Sequence, residues 1–401
     1  MIKNKIDIID IIIFLSIISC TFICILLFKN DGRNFFMMYM LLIAGSSCFL
    51  KAATFCSNRI VSGFFWLIST FLISYVFCFR NQTGIDDITY KLYFEKAANS
   101  SLQEFLSYSE MEIGYKISNY IIFHLSNGNY NVCQFIFSFI PILLFQITFW
   151  KKRNELELSV ALLYFYMTLY YFIMSAGLVR IFFSVSIIFF GLKYILKNDM
   201  KRYIACVLIA SLFHYSSLVM FSLLLLLIND GFFYRHIKLL SVILLVIIPI
   251  ILVIVSKYLA PTLGVRYEGY ALAVNKSTNS LFSFVDKLPF LIIGIFYIPV
   301  IQEEDTQTKK EYRLYLVLIL LTISVSIGSM WTDLGRIVYY TNCGIILLMS
   351  FILKNKIIRN GNDGRILSIV VTIIPYVFLM HTIFNNNYIW NNLNNYKSIF
   401  C

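Results

Sequence analysis

Long apolar runs dominate the chain, with neither the strict alternation of a strand nor a sustained heptad. Runs near the roughly 20 residues that cross a bilayer as a helix recur at about 7–27, 35–51, 60–79, 129–150, 157–176, 180–196, 203–229, 238–256, 283–301, 314–331, 334–354 and 366–384. A lipid-embedded backbone must satisfy its own hydrogen bonds, so runs of this length predict helices. The expected fold is an all-α polytopic membrane protein of about 11–12 transmembrane helices. Glycine and proline are too sparse for a linker and no repeat stands out, so 1–401 is expected to form a single integral membrane domain.

Composition agrees with this pattern. The chain is 59% hydrophobic and 13% charged, whereas a soluble domain carries about a quarter charged residues. The net charge of +12 therefore reports topology first, and no nucleic-acid partner is expected. The nine cysteines lie mostly inside apolar runs, without metal-ligand spacing, and read as small core residues; no metal site and no cofactor are expected. The opening stretch "MIKNKIDIIDIIIFLSIISCTFICILLF" exceeds a signal peptide's apolar core and lacks a small-residue cleavage site. It reads as an uncleaved first span.

Basic clusters orient the spans. "KKR" (151–153), "KNDMKR" (197–202), "KKEYR" (309–313), and Lys354, Lys356, Arg359 and Arg365 face the cytoplasm by the positive-inside rule. Lys3 and Lys5 place the N-terminus there too. Segment 80–128 then becomes a long outer segment with room for a short helix, and 257–282 a second outer loop. Segment 203–229 has two solutions: one long helix with one violated loop, or a broken, re-entrant pair bent near "FHYSS" (213–217) that brings every cluster into agreement.

Under this topology the unusual polar residues gather at the outer face: Arg180 after the turn "SAGL", the acids Asp86, Asp87, Glu110 and Glu112, Arg266 and Tyr267 in 257–282, and Asp333 and Arg336 at two span ends. Several arginines around an outer cavity suit a diphosphate, because a guanidinium grips phosphate oxygens in a fork. Each residue also has a plainer reading. Arg180 can snorkel to headgroups, His214 can be a packed histidine, and the acids can belong to a solvated loop.

Taken in order, five segments resemble the EpsG-type family of Wzy-like bacterial polysaccharide polymerases. "GIDDITYKLYF" (84–94) is similar to its G-x-D-Y-x-x-Y-x-x-x-F signature, and "EIGY" (112–115) to its E-x-G-[YF] element. "LVRIFFSVSIIFFGLKYI" (178–195) resembles its arginine-led span, "IASLFHYSSLVM" (209–220) its A-x-x-F-H-x-S segment, and "RIVYY" (336–340) its late R-x-x-x-Y-[YF]. The likeness covers roughly residues 80 to 345. Asp87 replaces the usual tyrosine, Ser175 or Gly177 stands where asparagine is common, and Ile181 replaces a glutamine. Roles of that asparagine and glutamine therefore do not carry over; Asp86, Tyr90, Glu112, Arg180, His214 and Arg336 do.

The resemblance implies a fold like the C-type glycosyltransferases and a multi-pass protein of the bacterial cytoplasmic membrane with its active site facing outward. It implies a polymerase of undecaprenyl-diphosphate-linked oligosaccharide, building O-antigen, capsule or exopolysaccharide, with the bilayer, a chain-length regulator and a flippase as partners. The departing lipid diphosphate needs fixed cations, for which Arg180, Arg336 and Arg266 are the candidates. The acceptor hydroxyl needs a base, for which His214, Asp86 and Glu112 are the candidates, with His214 slightly favoured. Tyr90, Asp87 and Tyr340 are the candidate substrate contacts. A lipid-linked oligosaccharide flippase, a polysaccharide ligase and a membrane acyltransferase are the competing classes.

Overall fold

A computed structural model describes residues 7–27, 33–80, 86–108, 111–167, 177–226, 230–259, 284–330, 334–355 and 363–385. The protein is an all-α polytopic membrane protein, with eight helices among the described residues long and apolar enough to cross a bilayer. The chain divides into two units, residues 1–190 with 349–401, and residues 191–348.

In the first unit, α1 (Ile8–Leu27), α2 (Arg33–Phe55), α3 (Arg59–Cys78), α7 (Tyr130–Lys151) and α17 (Asp363–Asn385) match the predicted spans closely. The segment 80–128, expected to have room for a short helix, contains α4 (Asp87–Glu95), a 3-10 turn (Lys96–Asn99), α5 (Leu102–Ser107) and α6 (Ile113–Leu125). Ser101 caps α5 through a reciprocal capping box with Glu104, which satisfies two otherwise orphaned N–H groups. Next come α8 (Leu158–Met167) and α9 (Val179–Leu196), whose C-terminal end crosses into the second unit.

Membrane helices cannot rely on the hydrophobic effect to hold them together, so polar contacts and close packing take a larger share. Tyr39 donates to the Tyr166 carbonyl (2.7 Å), and Tyr164 donates to that of Val371 (3.0 Å). Towards the start of α8, Lys51 of α2 bridges Asp10 of α1 (2.8 Å) and Glu157, which is fully buried. At the other end of α7, Arg80 forks Asp87 with two bonds of 3.1 Å and also donates to Ser138 Oγ at 2.8 Å. The Gln134 amide donates to the Arg80 carbonyl. These contacts tie the exit of α3 and the start of α4 to α7.

The second unit contains α10 (Met200–Ser211), a 3-10 helix (Tyr215–Leu226), α11 (Asp230–Ile254), α12 (Leu288–Phe296), α13 (Ile298–Ile301) and α14 (Thr306–Gly328). A 3-10 turn (Leu334–Ile337), α15 (Val338–Thr341) and α16 (Cys343–Lys354) follow, α16 ending in the first unit. Segment 203–229 is not one helix. It breaks at Leu212–His214, and its two arms pack on each other, with Tyr203 donating to the Met220 carbonyl at 2.8 Å. The break falls where the broken-pair reading placed it, near 213–217. The apolar run 283–301 is also interrupted, at Tyr297, with Pro299 opening α13.

Helix α14 is the buried centre of its unit, with Tyr312 to Val325 packed almost throughout. Gly344 makes its close contact with α16 possible. A Cβ there would sit 2.5 Å from Leu318 Cβ and 2.9 Å from the Tyr315 carbonyl oxygen. Part of that obstruction is backbone, which cannot rotate away. Gly344→Ala is therefore expected to destabilise the protein by about 1–3 kcal/mol, the usual cost of overpacking, read as a lower midpoint of thermal unfolding in detergent. An unchanged midpoint means that the two helices separate without cost.

Candidate functional site

Arg180 occupies the first turn of α9, and the residues after it hold it in place. Phe182 packs on Phe145 with ring centroids 5.6 Å apart, and Phe183 meets Phe137 of α7 edge-on at 5.4 Å. The apolar neighbours that make the arginine conspicuous in sequence are the anchors that fix where it starts. Arg180 is 5% exposed, so it does not snorkel to a headgroup. Its Nη1 donates to Glu112 Oε2 at 2.5 Å, and the Tyr90 and Tyr115 rings each lie 5.8 Å from the guanidinium carbon. A guanidinium held against aromatic faces gains cation–π attraction, more so once desolvated. Its Nε, though buried, has no hydrogen-bond partner among the described residues. A buried donor without an acceptor is costly, and Arg180 carries one.

Glu112 comes to this arginine from an unusual position. It is the N-cap of α6 but makes no side-chain cap bond to that helix, because its carboxylate is turned to Arg180. It is 1% exposed. Helix N-termini carry partial positive charge. The carboxylate thus stands at the positive end of α6 while bonded to a cation at the positive end of α9, in surroundings made for an anion.

One turn along α6, Lys116 adds a second cation. It is buried beside Glu112, and its Nζ donates to the Leu106 carbonyl at 2.7 Å. Burial pushes the Lys116 amine below its usual range, and the Glu112 carboxylate opposes that shift. Sequence reasoning passed over Lys116 and Tyr115. Their signal was the i, i+3 and i, i+4 spacing from Glu112, which places residues on one helix face.

The adjacent aspartates have different surroundings. Asp87 is fully buried with both oxygens on Arg80, and its carbonyl accepts from the Tyr130 hydroxyl (3.2 Å). Burial works against the Arg80 charge, but Asp87 more than offsets it, so the guanidinium is held above its ordinary pKa. Asp87, expected to contact substrate, has a bracing contact in this structure. Asp86 is half-buried at the N-cap of α4 and makes no side-chain cap bond. Tyr90, one turn on, is buried against Arg180 as described. Arg80, which the sequence marked only as the end of a span, is the residue that separates the two aspartates.

The second unit holds a separate polar group. His214 lies in the break between α10 and the 3-10 helix and is 8% exposed. Ser216 Oγ is 2.6 Å from its Nδ1, and the Ser216 backbone N–H also approaches that nitrogen at 3.4 Å. Ser216 Oγ donates in turn to the hydroxyl of the fully buried Tyr340 at 3.2 Å. His214 is thus engaged on its Nδ1 side by the break itself. The turn carrying Arg336 packs on the same 3-10 helix, and Arg336 is exposed. Of the remaining expected positions, Arg266, Tyr267, Glu110 and Asp333 lie outside the described residues.

Three comparisons bear on this arrangement. A family model described as the EpsG family matches residues 63–398. That span takes in α3 to α17, including Arg180, Glu112 and His214. No curated protein and no solved structure matches the chain.

Proposed function

The chain belongs to the EpsG family, a family of Wzy-like polysaccharide polymerases, and from that premise we propose that it polymerises lipid-linked repeat units. The donor is an oligosaccharide chain on a lipid diphosphate, with undecaprenyl as the lipid. The acceptor is a sugar hydroxyl of another lipid-linked unit. The reaction takes place at the outer face of the bacterial cytoplasmic membrane, with the N-terminus inside. The observation that carries this reading is the buried Arg180 guanidinium, at a helix N-terminus and beside two tyrosine rings, with its Nε–H without a partner among the described residues.

The chemistry follows from those groups. As the bond from the anomeric carbon to the diphosphate oxygen breaks, the electron pair stays on that oxygen. A preorganised guanidinium in low dielectric, assisted by the N-terminal end of α9, stabilises the charge that develops there. Lys116 is a second cation within the same group. The acceptor oxygen attacks the anomeric carbon and gives up its proton, and Glu112 is the carboxylate placed closest to Arg180. Tyr90 shapes the arginine's pocket, and Asp86 is a further carboxylate on the same unit for the acceptor side. In the second unit, His214 is the candidate to orient a sugar hydroxyl, and Arg336 stays a candidate cation for the diphosphate. A flippase that supplies the repeat units and a chain-length regulator are the expected partners.

Orientation has support within the first unit. The "KKR" cluster closes α7 at the end near Glu157, whereas Arg80, Asp87 and the segment containing Glu112 belong to the end where α7 begins. Basic residues mark the cytoplasmic side, which supports an outward-facing arginine site.

The test is reconstitution. Purified protein in liposomes loaded with one lipid-linked repeat unit is expected to give a ladder of polymer lengths and one free lipid diphosphate per linkage formed. Movement of the unit between leaflets without a ladder identifies a transporter instead. A single added chain on a different lipid acceptor identifies a ligase.

A further inference from the structure

Arg180 is charged, buried and already neutralised by a carboxylate from its own chain. A diphosphate cannot take the Nη1 that Glu112 occupies unless Glu112 gives way. We propose that Glu112 is an internal occupant of the diphosphate site, which holds Arg180 while the site is empty, is displaced by the donor, and on displacement becomes the base for the acceptor hydroxyl. This rests on the reading of Arg180 as the diphosphate ligand.

Three observations point the same way. Glu112 forgoes the cap bond its position offers and spends its carboxylate on Arg180. Left without a partner, the buried guanidinium would be strongly destabilising; the internal carboxylate keeps the empty site stable. The pairing is incomplete, because Arg180 Nε has no acceptor among the described residues. One carboxylate oxygen meets one N–H, whereas a diphosphate offers enough oxygens to engage the fork and Nε together. The guanidinium's donor set is therefore better matched to a diphosphate than to the single carboxylate oxygen now on it.

Displacement also explains why the base would act only when the donor is bound. In the empty site the Glu112 carboxylate is bonded to Arg180 and so is not available to an acceptor hydroxyl. When the diphosphate takes over Arg180, Glu112 loses its strongest cation and gains an anion nearby. Its carboxylate is then released to accept from the acceptor hydroxyl. The step then balances. The acceptor O–H proton passes to the Glu112 carboxylate, the acceptor oxygen bonds to the anomeric carbon, and the anomeric C–O bond breaks with its electron pair left on the diphosphate held by Arg180. Without donor, the carboxylate is held and does not activate an acceptor or water unproductively.

The experiment measures binding and turnover separately, on purified full-length protein in detergent, with undecaprenyl diphosphate as the binding probe. Glu112→Gln is expected to bind the probe about tenfold more tightly than wild type, the gain from removing a competitor that holds the site about nine-tenths of the time, while giving no polymer from lipid-linked repeat units. Arg180→Ala is expected to lose probe binding. If Glu112→Gln binds no more tightly than wild type while Arg180→Ala loses binding, the internal-occupant role is overturned and the diphosphate role of Arg180 stands. If Arg180→Ala binds as wild type does, the functional reading itself fails. Glu112→Asp guards against a folding defect: its carboxylate is one methylene shorter, and it is expected to tighten binding and slow polymerisation while staying monodisperse. A monodisperse Glu112→Asp with unchanged binding and unchanged polymerisation counts against the proposal.

Discussion

Alanine at position 180 is expected to slow polymer formation by roughly 10²–10³-fold, the range seen when one donor to a developing anion is removed. In cells the same change should leave single repeat units accumulating. Arg180→Lys separates charge from geometry. Lysine keeps the positive charge but cannot fork two oxygens or offer a planar cation to the Tyr90 and Tyr115 rings. It should recover only a small part of the lost rate. The measurement is the initial rate of ladder formation by purified variants at matched amounts. Wild-type rates in both variants would leave Arg180 as a packing arginine paired with Glu112. Equal rates in lysine and arginine proteins would mean that charge alone matters and that the aromatic walls are incidental.

The second large effect concerns the brace beneath the site. Arg80→Met leaves the Asp87 carboxylate fully buried without its cation, and breaking one half of a buried pair costs on the order of 3–5 kcal/mol. Arg80→Met combined with Asp87→Asn removes both charges, and replacing a whole buried pair is often close to neutral. The double variant is expected to recover much of the stability, though not all, since Arg80 also donates to the Phe77 carbonyl and to Ser138. Thermal unfolding in detergent reads both. If single and double variants unfold at the same temperature, the loss comes from those neutral contacts and not from the stranded charge. Because the brace fixes the start of α4, and α4 carries Tyr90, the single variant should also slow polymerisation where it remains folded.

Helix content and the approximate span positions are legible in the amino-acid pattern, since apolar runs of bilayer length admit one backbone solution. The family is legible too, from five ordered segments that do not depend on fine geometry. Even so, the pattern misjudges places where polarity and helicity part company. Segment 80–128 is polar and reads as a long segment with room for one short helix, whereas it holds three, α4 to α6, supported by the Ser101 cap and by Arg80. The run 283–301 reads as one span, although Pro299 and the turn at Tyr297 divide it.

For the site, sequence picks out Arg180 and Glu112 separately, as an odd residue in an apolar run and an acid in a polar segment. It cannot pair them. They are 68 positions apart on different helices, and nothing in a one-dimensional pattern states which of the acids at 86, 87, 110 and 112 meets the arginine. Residue type and spacing by themselves determined the class of fold, the family and the short list of chemistry-bearing residues, because those depend on local hydrophobicity and local order. Only the tertiary structure decided that Asp87 braces Arg80, that Glu112 holds Arg180, and that the chain breaks at His214. Those outcomes depend on which side chains long-range packing brings within hydrogen-bond distance, and a buried charge takes whichever partner packing delivers to it.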